Sequence, residues 1–182
     1  MRYVHSYWTA PRDENFDFTT DLITSAYSVS RVHALGKTIV LHTDSRGKEI
    51  FKDIPYDHVY TTLDGLDEEI NPNIWSASKF ISMAHEPLDS VHIDNDVYIY
   101  DEQLLSMDSS TDFLAQHLIR YNNDYDFVKR YIKKACGNYL DTPEEWDWNS
   151  KTCLHLGSFA FNNQEFKDRV IFYYKELAKT IS

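Results

Sequence analysis

The stretch KTIVLHTD, Lys37–Asp44, decides the fold class. Its β-branched, continuously apolar centre is typical of a strand that is buried on both faces. The preceding segment predicts a helix from about Thr20, with Thr19 or Thr20 as its cap and Gly36 at its left-handed C-terminal position. The apolar positions of this helix are Leu22, Ala26, Val29 and Val32 or His33. Because RYVHSYW, Arg2–Trp8, also reads as a strand, the order strand, helix, strand predicts an α/β fold with a parallel sheet.

Further elements follow along the chain at similar spacing. They are a strand in DHVYTTL (57–63), a helix with Asn71 as its cap that runs from Pro72 to about His85, a strand from Ser90, a helix from about Tyr125 to Asn138, a strand in TCLHLGSFAF (152–161) and a closing helix in 163–181. No repeat or Ser/Gly linker interrupts the pattern. We therefore expect one domain over residues 1–182, with a mixed, mostly parallel central sheet flanked by helices.

Composition limits the classes of partner. The chain has 182 residues, 42% of them apolar, and a formal net charge of −11. Such a surface repels a nucleic-acid backbone, so nucleic-acid binding is not expected. No apolar run reaches the roughly 20 residues that span a bilayer, and no signal-peptide core is present, which predicts a cytoplasmic protein without a transmembrane segment.

The stretch SVHIDNDVYIY, Ser90–Tyr100, sets two aspartates two positions apart in a strand-like run. In one interpretation the strand continues to Tyr100, and Asp94 and Asp96 lie on its solvent face. In the other, the strand ends near Ile93, because Asp and Asn are poor strand formers. Both carboxylates would then lie at the carboxyl end of a parallel strand, where α/β proteins bind ligands and where hard oxygen atoms suit Mg²⁺ or Mn²⁺. The spacing alone leaves both interpretations open.

Other chemical signatures are weak. His5, His42 and His92 lie in or beside strands without metal-ligand spacing, so we expect them to be structural. The sequence has no Gly-rich phosphate loop, and no motif typical of a serine or cysteine nucleophile.

Three segments, in order, resemble glycosyltransferases of the GT-A fold. VHSYWTAP is similar to the first strand and nucleotide-contacting turn of the D-x-D sugar-binding-region transferases, and AYSVSRVHALGKTIVLHTDSRG resembles their helix, Gly turn and second strand. The closest likeness is in IWSASKFISMAHEPLDSVHIDNDVYIY, where a helix with Trp and Lys precedes a strand that runs into the aspartates. The resemblance implies a GT-A-like nucleotide-sugar-binding domain.

The resemblance also implies roles for individual residues. Asp94 and Asp96 would hold Mn²⁺ or Mg²⁺, with Asp96 the more direct ligand. The nucleotide-sugar would contact Tyr7, Trp8, Asp44, Trp75, Lys79, Asp94 and Asn95. Lys79 would neutralise diphosphate charge. Acceptor-side candidates are Asn162 and Asn163, together with His155 and the aromatic pair Trp146 and Trp148.

The implied function is metal-dependent transfer of a sugar from a UDP- or GDP-sugar to the hydroxyl of a glycan or another acceptor. No residue is identified as the catalytic base. The alternative is a non-catalytic protein that reuses the same fold to bind a nucleotide or sugar, or for assembly.

Overall fold

The computed structural model describes residues 1–101, 110–120 and 152–181. The strands are β1 (Arg2–Tyr7), β2 (Thr38–Thr43), β3 (His58–Tyr60), β4 (Ser90–Ile93), β5 (Phe113–Arg120) and β6 (Thr152–Phe161). The helices are α1 (Thr19–Ala34), α2 (Ser45–Ile50), α3 (Leu66–Glu69), α4 (Ala77–Ala84) and α5 (Gln164–Ile181). The helix expected near residues 125–138, and the candidates Trp146 and Trp148, lie outside the described residues.

The six strands form one sheet in the order β3-β2-β1-β4-β6-β5. β1 pairs in parallel with β2 on one side and with β4 on the other, and β3 is parallel to β2. β6 runs antiparallel to both β4 and β5. The expected α/β class, with a mixed, mostly parallel sheet flanked by helices, is therefore confirmed.

Alternation along the strands builds a core on each face of the sheet. Tyr3 of β1 packs on one face with Val29 and Val32 of α1. Val4, the next residue, packs on the other face with Phe80 of α4. Because both faces are covered by helices, the central strands are apolar on both sides, which explains the continuous apolar run seen in β2.

α1 differs from the sequence prediction at two points. Neither Thr19 nor Thr20 caps it; the side chain of Asp17 accepts from the backbone N–H of Thr19 instead. Ala26, expected in the core, is exposed. The face of α1 that is buried instead includes Ser25 and Ser28, next to Val29 and Val32. The spacing of apolar residues does not predict that these serines are buried, because it does not consider hydroxyl groups that form hydrogen bonds inside the protein.

The segment before the aspartates also differs. α4 begins at Ala77 rather than at Pro72, and Asn71, the expected cap, accepts from the N–H of Asn73 in a local turn. β4 ends at Ile93, so the interpretation of a continuous strand to Tyr100 is wrong. β5 had no counterpart in the sequence prediction, whereas β6 matches its predicted bounds. In the described part of the chain, no helix is both long and apolar enough to cross a bilayer.

Candidate functional site

A cavity of about 390 Å³ lies where β1 and β4 end. The chain adds β2 and β3 on one side of β1 and then returns to add β4 on the other, so the strand order reverses between β1 and β4. Open α/β sheets bind ligands at this point, beyond the carboxyl ends of the strands. The residues lining the cavity are Ser6, Tyr7, Trp8, Pro11, Arg12, Asp21, Pro72, Asn73, Trp75, Ser78, Lys79, Asp94, Asn95 and Asp96.

The residues Asp94–Val97 form a turn, which we call the aspartate turn. The N–H of Asp94 donates to the carbonyl of Gly157 at 2.7 Å, and the N–H of Val97 donates back to the carbonyl of Asp94 at 2.9 Å. Asn95 and Asp96 occupy the central positions, where their short polar side chains are favoured. The turn places both aspartates just beyond the carboxyl end of β4 and in the lining of the cavity, as the second interpretation of the sequence required.

Lys79 holds Asp94 by an ion pair inside the cavity wall. Its ammonium Nζ lies 2.7 Å from Oδ1 and 2.8 Å from Oδ2 of Asp94, and it also donates to the carbonyl of Leu156 at 3.1 Å. The ammonium therefore makes two hydrogen bonds, to Oδ2 and to the carbonyl of Leu156, and its contact with Oδ1 belongs to the ion pair. Only 8% of Lys79 is exposed. Burial raises the pKa of Asp94 above its ordinary value, although the positive charge of Lys79 opposes the rise.

Trp75 lies beside this ion pair in the lining of the cavity. Its ring centroid is 5.2 Å from Lys79 Nζ, within the range of a cation–π contact. The side chain is 58% exposed even though it lines the cavity. A large aromatic ring held in water beside a buried charge pair is a surface on which a flat base or a sugar face can stack.

The opposite wall comes from the end of β1 and the start of α1. The Tyr7 hydroxyl donates to Asp21 at 2.7 Å. Burial raises the pKa of Tyr7, and the carboxylate of Asp21 adds to the rise. Trp8 is buried, and its Nε1 has no hydrogen-bond partner within the residues described. Arg12 adds a second positive charge to the lining. Sequence reasoning missed two lining residues. Arg12 lies in the turn after β1, and Asp21 lies in the first turn of α1.

His92 supports the cavity from beneath. Its Nε2 is 2.8 Å from the hydroxyl of Ser6, and its ring stacks on Phe159 with centroids 4.9 Å apart. Nδ1 is buried, has no hydrogen-bond partner in the described part of the chain, and lies 4.0 Å from Asp94 Oδ1. Burial lowers the pKa of His92 well below its ordinary value, and the charge of Lys79 adds to this effect. We therefore treat the ring as a neutral structural group, in line with the expectation from the sequence.

Asp44 has a structural role and does not line the cavity. It caps α2 by accepting from the N–H of Gly47 at 2.7 Å through Oδ1. Its Oδ2 accepts from both the N–H and the hydroxyl of Thr9, each at 2.8 Å. The carboxylate thus joins β2 to the turn after β1, and both of its oxygens are engaged by the protein.

The acceptor-side candidates lie at different ends of the sheet. β6 runs antiparallel to β4 with Ile93 opposite Ser158, so His155 lies beyond the carboxyl end of β4, on the side of the cavity. Its Nδ1 is 2.8 Å from the side-chain oxygen of Gln116. Asn162 and Asn163 follow the other end of β6, and Asn163 accepts from the N–H of Phe166 in the first turn of α5. The structure therefore does not bring these two asparagines to the cavity.

No group of three or more His, Cys, Asp or Glu side chains suited to a metal ion occurs in residues 1–101, 110–120 and 152–181. The cavity itself offers two carboxylates of the expected pair, Asp94 and Asp96, and of these only Asp96 is exposed. With Asp21, three carboxylates face the two cations Arg12 and Lys79. A polyanionic ligand would therefore meet no surplus of positive charge from the lining.

Comparison with known families adds one result. A family described as a family of unknown function, DUF6734, matches residues 1–165. The chain belongs to DUF6734. This match includes β1 to β4, the aspartate turn and all of β6, so every residue that lines the cavity falls within the DUF6734 region. No curated protein matches the sequence.

Proposed function

We propose that this member of DUF6734 is a GT-A-like glycosyltransferase, which binds a UDP- or GDP-sugar in the cavity and transfers the sugar to an acceptor hydroxyl. One observation carries the proposal. The residues that the resemblance implied at the donor site, apart from Asp44, line a single cavity at the switch point of the sheet: Tyr7, Trp8, Trp75, Lys79, Asp94, Asn95 and Asp96. They come from three separate segments of the sequence, and a shared donor site requires that these segments converge in one cavity.

The donor set of the cavity suits a divalent ion of the expected kind. Mg²⁺ is commonly held by one or two carboxylates together with substrate phosphates, and the lining carries an excess of carboxylates over cations. Asp96, which is exposed, would hold Mn²⁺ or Mg²⁺ directly, with Asp94 beside it. A divalent ion at this position supplies positive charge that stabilises a leaving diphosphate.

The protein's own residues then have distinct tasks. Trp75 offers a ring on which the nucleoside or sugar stacks, and Lys79 brings a fixed ammonium within reach of a phosphate oxygen. Tyr7 and Asp21 form a hydrogen-bonded wall that limits the space available to the ligand. If the chain follows retaining relatives, the leaving phosphate assists the acceptor hydroxyl, and no separate carboxylate base is needed.

A second candidate is a non-catalytic protein that binds a nucleotide or sugar in the same cavity. The ion pair between Lys79 and Asp94 favours it, because the ammonium of Lys79 and the carboxylate of Asp94 are already engaged with each other within the protein. Binding of a nucleotide without any donor turnover would fit this alternative.

Calorimetric titration of UDP and GDP, with and without Mn²⁺, tests the donor site. Wild type is compared with Asp96→Ala, which removes an exposed side chain, and with Asp94→Ala/Asp96→Ala. Asp67→Ala/Glu68→Ala is the matched control, since it removes two exposed carboxylates from α3, far along the chain from the aspartate turn. We expect Mn²⁺-dependent binding that both aspartate variants weaken at least about tenfold and that the control retains.

Incubation of the same proteins with UDP-sugars and GDP-sugars in Mn²⁺ then separates the two candidates. Hydrolysis or transfer that depends on the aspartates supports the enzyme. Metal-dependent nucleotide binding without turnover of any donor supports the binding protein. Absence of nucleotide binding under every condition contradicts both.

A further inference from the structure

A chain of buried and partly buried hydrogen bonds connects the aspartate turn to His5. The side-chain amide of Asn95 donates through Nδ2 to the hydroxyl of Ser25 at 3.2 Å. Burial raises the pKa of Tyr56, and a side-chain hydrogen bond from Ser25 opposes this rise. The Tyr56 hydroxyl lies 2.7 Å from Nδ1 of His5. Ser25 and His5 are both fully buried, so these groups have no access to solvent as a substitute partner.

The second half of the chain returns from His5 to the same turn. Nε2 of His5 is 3.1 Å from the hydroxyl of Ser28, and that hydroxyl donates to the backbone carbonyl of Val97 at 2.7 Å. Both ends of the chain therefore attach to the aspartate turn, one at Asn95 and the other at Val97. Asp96 lies between these two attachment points.

The hydrogen atoms of this chain can be placed by counting donors. A serine hydroxyl has one hydrogen, and the carbonyl of Val97 can only accept, so the hydrogen of Ser28 points to Val97. Ser28 must then accept from His5, which places a hydrogen on Nε2 of the imidazole. With Nε2 as the donor, Nδ1 of a neutral ring accepts from the hydroxyl of Tyr56. Every hydroxyl in the chain donates once and accepts once in this arrangement.

Burial agrees with a neutral ring. It lowers the pKa of His5 to about 3, so the imidazole carries one hydrogen throughout the physiological range. A second hydrogen on Nδ1 would face the hydroxyl of Tyr56 and reverse the direction of the bonds towards Asn95.

We propose that His5 is a positioning residue of the cavity, which fixes the aspartate turn from both sides through Ser25 and Ser28 and so sets the position of Asp96. His5 touches neither the cavity nor any bound group; it acts only through its partners. The consequence for ligands rests on the proposed function, whereas the effect on the turn does not.

Ser28→Ala tests this inference with a small change. The variant removes the hydroxyl that joins His5 to Val97 and leaves the backbone of α1 unchanged. Ser82→Ala is the matched control, because Ser82 is equally buried in α4 and its hydroxyl has no hydrogen-bond partner within the described residues. Urea unfolding of the two variants shows how far each one changes global stability.

Amide hydrogen exchange measured by NMR reports on the turn itself. The N–H of Val97, which closes the turn on Asp94, should exchange at least about tenfold faster in Ser28→Ala than in wild type. The N–H groups of β4 should follow global stability alone, and Ser82→Ala should leave the relative protection of Val97 unchanged. Equal protection of Val97 in Ser28→Ala and Ser82→Ala would overturn the positioning role.

The ¹⁵N chemical shifts of the His5 ring supply a second readout, because they report which ring nitrogen carries the hydrogen. A role of His5 in packing alone does not determine this. We expect a neutral ring with its hydrogen on Nε2, and a hydrogen on Nδ1 would overturn the assigned direction of the chain. A titration with UDP and Mn²⁺ completes the test, with about tenfold weaker binding expected for Ser28→Ala. If wild type binds no UDP, the proposed function fails, and amide exchange still decides the inference about His5.

Discussion

The ammonium of Lys79 lies within 2.8 Å of both carboxylate oxygens of Asp94, across the boundary between α4 and the end of β4. A buried charge is costly unless a partner compensates it, so each residue of this pair requires the other. The pair also connects α4, which follows Trp75 in the chain, to the turn that carries Asp96. The geometry of the candidate site and the stability of the fold are therefore coupled at one contact.

Lys79→Met should be more destabilising than the loss of an ordinary surface lysine. It leaves Asp94 mostly buried and unpaired, and because a quarter of the Asp94 side chain is exposed, we expect a loss of about 2 kcal/mol, below the range for a fully buried pair. Lys79→Met/Asp94→Leu should lose less than the sum of the two single variants, by about 1–3 kcal/mol. Urea unfolding of the four proteins measures this coupling.

Lys52→Met is the control for this cycle, since Lys52 pairs with Glu49 on the surface at 4.0 Å, with both side chains largely exposed. It should give no measurable change. Strict additivity of the Lys79 and Asp94 variants would show that the pair does not stabilise the fold.

Asp44→Ala should lower stability without altering the lining of the cavity. Asp44 caps α2 and accepts two hydrogen bonds from Thr9, so its loss leaves three donors without an acceptor. We expect a decrease of about 2 kcal/mol in the free energy of unfolding. Thermal and urea unfolding measure the decrease. If stability is unchanged while nucleotide affinity falls, the nucleoside role implied by the resemblance gains support over the capping role.

Stability should fall as the pH decreases below the ordinary histidine pKa of about 6.5. Burial depresses the pKa of His5 to about 3 and that of His92 well below its ordinary value, so the unfolded chain takes up protons that the folded chain does not. The stabilisation from each ring is complete above the unfolded pKa and is lost as the pH falls towards the folded pKa. Well below pH 6.5, each of the two histidines should lower the free energy of unfolding by about 1.4 kcal/mol for every unit by which the pH falls.

Urea unfolding between about pH 7.5 and about pH 5 measures this slope. Above pH 5 most carboxylates remain ionised in both states, so the histidines dominate the change. His5→Phe should reduce the slope by about one proton, and His92→Phe should do the same. An unchanged slope in both variants would show that these rings titrate alike in the folded and unfolded chain.

The sequence was sufficient for the α/β class because the signals involved are local. The helix ending at Gly36 and the apolar run of β2 each follow from residues adjacent in the chain, and Gly36 indeed has a φ of 67°. The end of β4 at Ile93 was one of the two interpretations that the sequence left open, and the poor strand propensity of the three residues after it favoured this one. Each of these signals is a conformational preference of individual residues, which does not depend on contacts with distant parts of the chain.

Pairing between distant segments was beyond such reasoning. The antiparallel direction of β6 depends on contacts of Ser158 with Ile93, and that direction places Asn163 at the first turn of α5, at the end of the sheet away from Asp94. The resemblance implied that Asp44 lies near the nucleoside, whereas in the structure Thr9, from another segment, donates to its carboxylate. The buried serines of α1 escaped notice for the same reason, since their partners come from other segments of the chain.

Trp75→Ala should separate ligand binding from stability at the cavity mouth. Trp75 is 58% exposed and contributes little to the core, so its loss should change the free energy of unfolding by no more than about 0.5 kcal/mol. If a base or sugar stacks on the ring, UDP affinity in the presence of Mn²⁺ should fall about tenfold or more, and Trp75→Phe should retain part of it. Phe172→Ala is the matched control, because Phe172 is also 58% exposed but belongs to α5 and does not line the cavity. Equal nucleotide affinity in Trp75→Ala and Phe172→Ala would remove Trp75 from the binding site and leave Lys79 and the aspartate turn as its remaining candidates.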